Sequence, residues 1–267
     1  MLKVTFKEYD YLHPRKHDFC SNPVPYVIAT TQRSGSTLLS DLLLQTGICG
    51  QPGEYLTSSF VQRNEDLLRI GSTCPINKNT KDYINYIYSR YHSKNGIFGQ
   101  KITWDQIVKI NHDLPVGFLR KRSLQNSFKY YFGKPKVIFL RRANLVSQGI
   151  SKYLALKTNK WHSWDKHDES KEVAIKNDQI FSIISEIRTH NDGWLELLNS
   201  SKLPYINVFY EELCSSPLEV LKKVIEFIHE EKVYLLNSPK KMIKPVNSLV
   251  KSKLESDFIK SLHENLI

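Results

Sequence analysis

Gln32-Arg33-Ser34-Gly35-Ser36-Thr37 gathers, within six residues, the groups that hold a tetrahedral oxyanion. Arg33 supplies a fork of N–H donors, and Ser34, Ser36 and Thr37 supply hydroxyls. Gly35 can take a backbone conformation that other residues resist, so main-chain N–H groups can close on a ligand. A helix that starts at Ser36 adds unpaired N–H groups and the positive end of its dipole. The chemistry of such a turn is the binding of phosphate or sulfate. It lacks the lysine and the spaced glycines of the nucleotide-triphosphate loop, which makes a kinase or GTPase a poor match. An ordinary Ser/Gly turn capping an ordinary helix remains open on these residues alone.

Further residues narrow the reading. Thr46, Gly47, Gly50, Pro52, Glu54 and Tyr55 follow directly; Gly99-Gln-Lys-Ile-Thr-Trp104 and Arg142-Ala-Asn-Leu-Val-Ser-Gln-Gly-Ile-Ser151 come later. Together with the turn, they resemble the bacterial trehalose 2-sulfotransferase type of sulfotransferase, whose motifs are R-S-G-S-T, T-G-x-x-G-x-P-x-E-[YF], G-x-K-x-x-W and R-x-D-x-x-x-Q-A-V-S. Four motifs occur in order over residues 26 to 151, with a looser likeness to 217 in Gly193-Trp194 and Tyr210-Glu211. The chain departs from the pattern at Asn144, where the family has an acid, and at Gly149, where it has alanine. Gly149 costs a helix about 1 kcal/mol unless tertiary contacts offset it.

The resemblance implies transfer of a sulfuryl group from 3′-phosphoadenosine-5′-phosphosulfate (PAPS) to a carbohydrate or glycolipid hydroxyl, releasing adenosine 3′,5′-bisphosphate (PAP). It places Gln32 to Thr37 on the 5′-phosphosulfate and Arg142 with Ser151 on the 3′-phosphate, and it implies a homodimer. The residues can bear this chemistry. Arg33 would neutralise charge on the departing phosphate as the bridging S–O bond breaks. An acceptor hydroxyl has a pKa far above neutral, so a base helps it attack. Glu54 is the candidate, against the ordinary reading of a loop glutamate as a solvated charge. Lys101 could supply positive charge to the transferring group. Tyr55 and Trp104 are candidates for contact with the acceptor, Trp104 being equally suited to core packing. Arg141 reads as a structural or solvated cation. None of the nine histidines stands in a motif, and His162 reads as a surface residue. Cys20, Cys49, Cys74 and Cys214 lack ligand spacing, and the reaction requires no metal.

These residues need elements to carry them. Tyr26-Val-Ile-Ala29 and Lys136-Val-Ile-Phe-Leu140 are apolar runs suited to buried parallel strands, and residues 97–102 and 205–209 form two more. Leu38, Leu39, Leu42 and Leu43 give the stripe of a helix over 36–46. Further helices are predicted over 58–70, 80–93, within 104–131, over 144–158, around 170–199, over 217–229 and over 256–267. Strands separated by helices define an α/β class, a P-loop-kinase-like parallel sheet flanked by helices, with helical insertions. The 267 residues and 40% apolar content fit one domain. Residues 58–95 form a helical acceptor-binding insertion, in which Tyr83, Tyr86, Tyr88 and Tyr91 suit core packing better than sugar stacking. Residues 240–267 form a basic terminal segment.

The chain carries 38 Lys+Arg against 27 Asp+Glu, a formal net charge of +11. The basic residues are scattered apart from Arg120-Lys121-Arg122 and Lys240-Lys241, and no nucleic-acid motif accompanies them. An anionic donor, or peripheral contact with anionic lipid, accounts for the charge without specific nucleic acid. No signal core or spanning run is evident, which gives a cytoplasmic protein as the expectation. A phosphoryl-transferring relative and a non-catalytic nucleotide- or nucleic-acid-binding module stand as alternatives.

Overall fold

Alternation along one central strand divides the molecule. In a computed structural model that describes residues 1–7, 22–57, 80–112, 123–162, 173–174, 176–239 and 248–264, β2 (Val24–Thr30) is buried on both faces. Val27 and Ala29 point into one apolar cluster, and Tyr26 and Ile28 into another. This is what an all-parallel interior strand requires. β2 lies between β3 (Ile97–Thr103) and β4 (Lys136–Arg141), and β5 (Tyr205–Phe209) extends the sheet beyond β4; every pairing is parallel. The spatial order β3-β2-β4-β5 means that the chain first moves to one side of β2 and then crosses to the other. The crevice between β2 and β4, at their carboxyl ends, is therefore the switch point where open α/β sheets take ligands. β1 (Leu2–Val4) pairs with β6 (Val233–Leu235) in a separate two-stranded parallel sheet.

The helices cover the sheet according to their apolar stripes. α1 (Ser36–Gln45) contributes Leu38, Leu39, Leu42 and Leu43, and α8 (Pro217–His229) contributes Leu221, Val224 and Ile225, to the Tyr26/Ile28 face. The opposite face receives α2 (Thr80–Arg90), α3 (Trp104–His112), α4 (Leu124–Phe132) and the later part of α6 (Asn177–Ser201). The earlier part of α6 packs with α5 (Leu145–Thr158) and α9 (Ser248–Glu264) around Ile150, Tyr153, Ile183, Ile187 and Phe258. α7 (Tyr210–Ser215) is a single short turn after β5.

The four sheet strands and most helices lie where the sequence places them, with α6 starting later, at Asn177, and α9 earlier, at Ser248. The expected helix at 58–70, the residues 58–79 of the insertion, and both basic clusters, 120–122 and 240–241, lie outside the described residues. Within 80–95, Tyr88 and Tyr91 are buried in the core and Tyr86 packs against it, as core packing predicts. No described helix is long and apolar enough to cross a membrane.

Gly149 has a specific reason to be glycine. A Cβ there would lie 2.5 Å from Ile184 Cγ1, so α5 and α6 approach closely only because the side chain is missing. Gly149→Ala should thus destabilise the protein by about 1–3 kcal/mol through overpacking, where helix propensity alone would have it gain about 1 kcal/mol. Urea denaturation midpoints give the sign directly.

Candidate active site

The turn after β2 is held open by its own backbone. Arg33 has φ 65 and Gly35 φ 90, two left-handed residues within three positions. Gly35 can be nothing larger, because an added Cβ would collide with the Tyr210 ring. No side chain caps the start of α1 and no acid stands in its first turn, which leaves its N–H groups for the turn to present. Gln32, Arg33, Gly35, Ser36 and Thr37 are half-buried at the mouth of this cradle, while Ser34 is fully buried and bonds its hydroxyl to that of Thr30. Ser34 therefore offers the cradle its main chain, and its hydroxyl serves the turn itself.

Neighbouring elements brace the turn. Gln148, buried on α5, donates to Thr31 Oγ1 at 2.9 Å and to the Gln32 carbonyl at 2.8 Å. Arg142, at the end of β4, donates to the Arg33 carbonyl at 3.5 Å and to Ser147 Oγ at 3.0 Å. Trp194 Nε1 donates to the Thr30 carbonyl at 2.9 Å and fixes the end of β2. The Arg33 side chain points across the switch point. Its Nε donates to Ser151 Oγ at 3.0 Å, and its Nη1 donates to the Trp161 carbonyl. The two arginines and Ser151 thus form one connected group, although 118 residues separate Arg33 from Ser151.

Arg142 is 9% exposed, and its guanidinium lies 4.3 Å from the centre of the Tyr210 ring. Burial is the main influence on it and lowers its pKa, opposed by Tyr210, Glu211, Cys214 and Glu255. Glu211 in turn accepts from the Ala143 and Asn144 amides at 3.0 and 3.2 Å, holding the β4–α5 turn. Asn144 does the capping work of the acid it replaces, accepting from the Ser147 amide at 2.8 Å. Arg141 stacks on Phe139 and Phe209 and belongs to the frame.

Glu54 arrives from the other side. Gly50, at φ 70, lies so close to β3 that a Cβ would stand 2.7 Å from the Ile97 carbonyl oxygen. The segment then runs beside β3, where the Lys101 amide donates to the Gly53 carbonyl at 2.9 Å. This contact sets Glu54 against Lys101, with Lys101 Nζ 2.8 Å from Glu54 Oε1 and 3.3 Å from Thr37 Oγ1. Lys101 is 2% exposed and Glu54 40% exposed, so the carboxylate is reachable while its cation is not. The Lys101 charge holds the Glu54 carboxyl below its usual range, ahead of the opposing effect of burial; its hydrogen bond and the charge of His162 act in the same direction.

Two expected contact residues are placed otherwise. Tyr55 is fully buried, its ring against Tyr91 and Phe98 and its hydroxyl donating to the Gln51 carbonyl. It supports the Glu54 segment and offers no face to a ligand, which corrects the reading of it as substrate-binding. Trp104 rests on Gly193 and meets Trp194 edge-on at 5.4 Å, so most of its ring is committed to the core. Gln148, Ser147, Tyr210, Trp161 and His162 are site neighbours to which the sequence analysis gives no role. For the last two, the only signal is a pair of tryptophans around a histidine in a polar stretch.

Among the described residues, one group of three metal-type donors comes within 4.8 Å, formed by Asp105, Glu186 and His190. Lys152 Nζ lies 2.8 Å from Glu186 Oε2 and already places a positive charge there. Cys49 is buried, with its thiol pushed up to about 12 by burial, and Cys214 is exposed; both are free.

A strained turn at the switch point, a second arginine one strand away and a lysine-paired carboxylate come together in a parallel α/β frame. The sequence matches the family model described as Stf0 sulphotransferase over residues 25–250, and the chain belongs to that family. It is similar to the trehalose 2-sulfotransferase of Mycolicibacterium smegmatis, at 27% identity over 79% of this chain and 86% of the relative. It is also similar to the trehalose 2-sulfotransferase of Mycobacterium tuberculosis, at 25% identity over 78% and 85%.

The lowered Glu54 pKa has a sign consequence for stability. A carboxyl whose folded pKa lies below its unfolded value of about 4.3 stabilises the fold above that value and loses the contribution as pH falls through the folded one. Glu54→Gln should therefore flatten the decline of stability on acidification below about pH 5. Denaturant midpoints of both proteins across that window check it.

Proposed function

We propose that this sulfotransferase moves the sulfuryl group of PAPS to a hydroxyl of a carbohydrate or glycolipid acceptor. The observation that carries the reading is the pair of cationic stations joined across the β2–β4 crevice, the Arg33 turn and Arg142, with the Lys101–Glu54 pair beside the first. A donor with phosphate-bearing groups at both its 5′ and 3′ positions matches two such stations. In this reading Arg33, Gly35, Ser36 and Thr37 hold the 5′-phosphosulfate, with Gln32 and Ser34 shaping the turn. Arg142 and Ser151 receive the 3′-phosphate; the buried Arg142 Nε makes no hydrogen bond among the described residues and has Glu211 Oε1 3.9 Å away. The trehalose 2-sulfotransferase relatives favour a sugar as acceptor.

Catalysis follows from the placement of charge. Bond breaking between sulfur and the bridging oxygen leaves negative charge on the phosphate, and the helix N-terminus with Arg33 stabilises it more than the ground state. Lys101, in contact with Thr37, adds positive charge at the transferring group. Glu54 is ionised at neutral pH, as a base must be, and takes the acceptor's proton as its oxygen bonds to sulfur. Its exposed side faces away from the core, where an acceptor enters. No step draws on a metal.

Transfer of labelled sulfate from PAPS to a panel of sugars and glycolipids tests the reaction and finds the acceptor. Glu54→Gln should lower kcat at least about 100-fold and leave PAP affinity unchanged. Arg142→Ala should chiefly weaken PAP binding. The reverse pattern would show that the two roles are exchanged.

A further inference from the structure

The side-chain amide of Asn144 is used at both ends. Its Oδ1 accepts from the Ser147 amide at 2.8 Å and caps α5, and its Nδ2 donates to Glu255 Oε1 at 3.2 Å. Glu255 belongs to α9, 111 residues further along the chain. α9 docks by its apolar side. Leu254 and Phe258, four residues apart and so on one helix face, are buried with Ile150 and Tyr153 of α5 and with Ile183 and Ile187 of α6. Glu255, next to Leu254, is set half-buried at the start of α5 by this packing.

From Glu255 a continuous set of hydrogen bonds leads into the crevice. Asn144 joins it to the Ser147 amide, the Ser147 hydroxyl accepts from Arg142 Nη2 at 3.0 Å, and Arg142 Nη1 reaches the Arg33 carbonyl at 3.5 Å. α5 also carries Gln148, which donates to the Gln32 carbonyl at 2.8 Å, and Ser151, whose hydroxyl accepts from Arg33 Nε at 3.0 Å. The placement of the first turns of α5 therefore decides how Arg142, Ser151 and the Arg33 turn meet. The Asn144–Glu255 bond lies at the surface, where one hydrogen bond contributes modestly by itself. Its leverage comes from the helix end it holds.

Charge alone acts in the opposite direction. Glu255 and Glu211 both place negative charge near Arg142, and a carboxylate beside an anion-binding arginine competes with the anion for it. Loss of the Glu255 charge by itself would tighten anion binding. A positioning role gives the reverse sign.

Resting on the PAPS-dependent reading above, we propose that Glu255 is a positioning residue of the 3′-phosphate station, acting through Asn144 to hold the first turn of α5 and with it Arg142 and Ser151. Asn144 is the matching half of the pair. An aspartate there would cap α5 as well, but it could not donate to Glu255 and would face it with like charge. The C-terminal helix acts on the donor site from outside it.

Calorimetric titration with PAP reads the sign. In Glu255→Ala, PAP affinity should fall about twofold to tenfold, the equivalent of one hydrogen bond, with the urea midpoint unchanged. In Glu255→Gln, whose side-chain oxygen can still accept from Asn144, affinity should be retained. Unchanged or tighter PAP binding in Glu255→Ala, an equal loss in both variants, or a loss accompanied by a lower urea midpoint would overturn the proposal. A second measurement needs no ligand. Hydrogen exchange at the Ser147 amide, which Asn144 holds, should quicken about twofold to tenfold in Glu255→Ala and stay at the wild-type rate in Glu255→Gln. Unchanged exchange in Glu255→Ala would overturn the link whatever the affinity. A wild-type protein that binds no PAP would refute the reading of the preceding section instead, while the exchange rates still decide whether α9 holds the start of α5.

Discussion

The site depends on a backbone that a single non-glycine residue holds against its preference. A left-handed conformation costs such a residue on the order of 1–3 kcal/mol and persists only where the surroundings over-determine it. Arg33 is over-determined. The carbonyl before it is held by Gln148, its own carbonyl by Arg142, and its side chain by Ser151 and the Trp161 carbonyl. These partners come from the end of β4, from α5 and from the chain beyond α5, so the strained turn and the second cationic station share one set of hydrogen bonds. The separation of Arg33 and Arg142 is therefore set by the pairing of β2 with β4, a rigid element.

A second constraint couples this frame to the remaining strand. Removing a lysine charge from water costs several kcal/mol unless it is paired and hydrogen-bonded. Lys101 meets that demand with Glu54 and Thr37, one from the segment alongside β3 and one from the first turn of α1. The pair favours the ionised carboxylate and links it through Lys101 to Thr37 at the start of α1.

Much of this was legible in the sequence, for physical reasons that differ by element. Tyr26 to Ala29 and Val137 to Leu140 read as strands because a parallel strand covered on both faces must be apolar at every position. The helix stripe of Leu38, Leu39, Leu42 and Leu43 is equally plain. β1 and β6, at three residues each, are too short to carry a period of two, and α7 is too short to carry a helical stripe. The burial of Tyr55 was hidden because a loop has no periodicity from which to tell an inward side chain from an outward one. The cross-chain bonds of Gln148, Arg33 and Trp161 arise from tertiary contact, and local patterning carries no trace of them. The motif resemblance ordered Glu54, Lys101, Arg142 and Ser151 along the chain; the sheet order β3-β2-β4 is what sets them around one crevice.

The central claim is that the crevice carries two linked stations for a nucleotide with phosphate at both ends. Isothermal titration calorimetry with PAP and with ATP plus magnesium tests it most directly. The account predicts saturable one-to-one binding of PAP that weakens strongly in Arg142→Ala, with ATP plus magnesium giving little heat. No binding of PAP, or tighter binding of ATP plus magnesium, would contradict it.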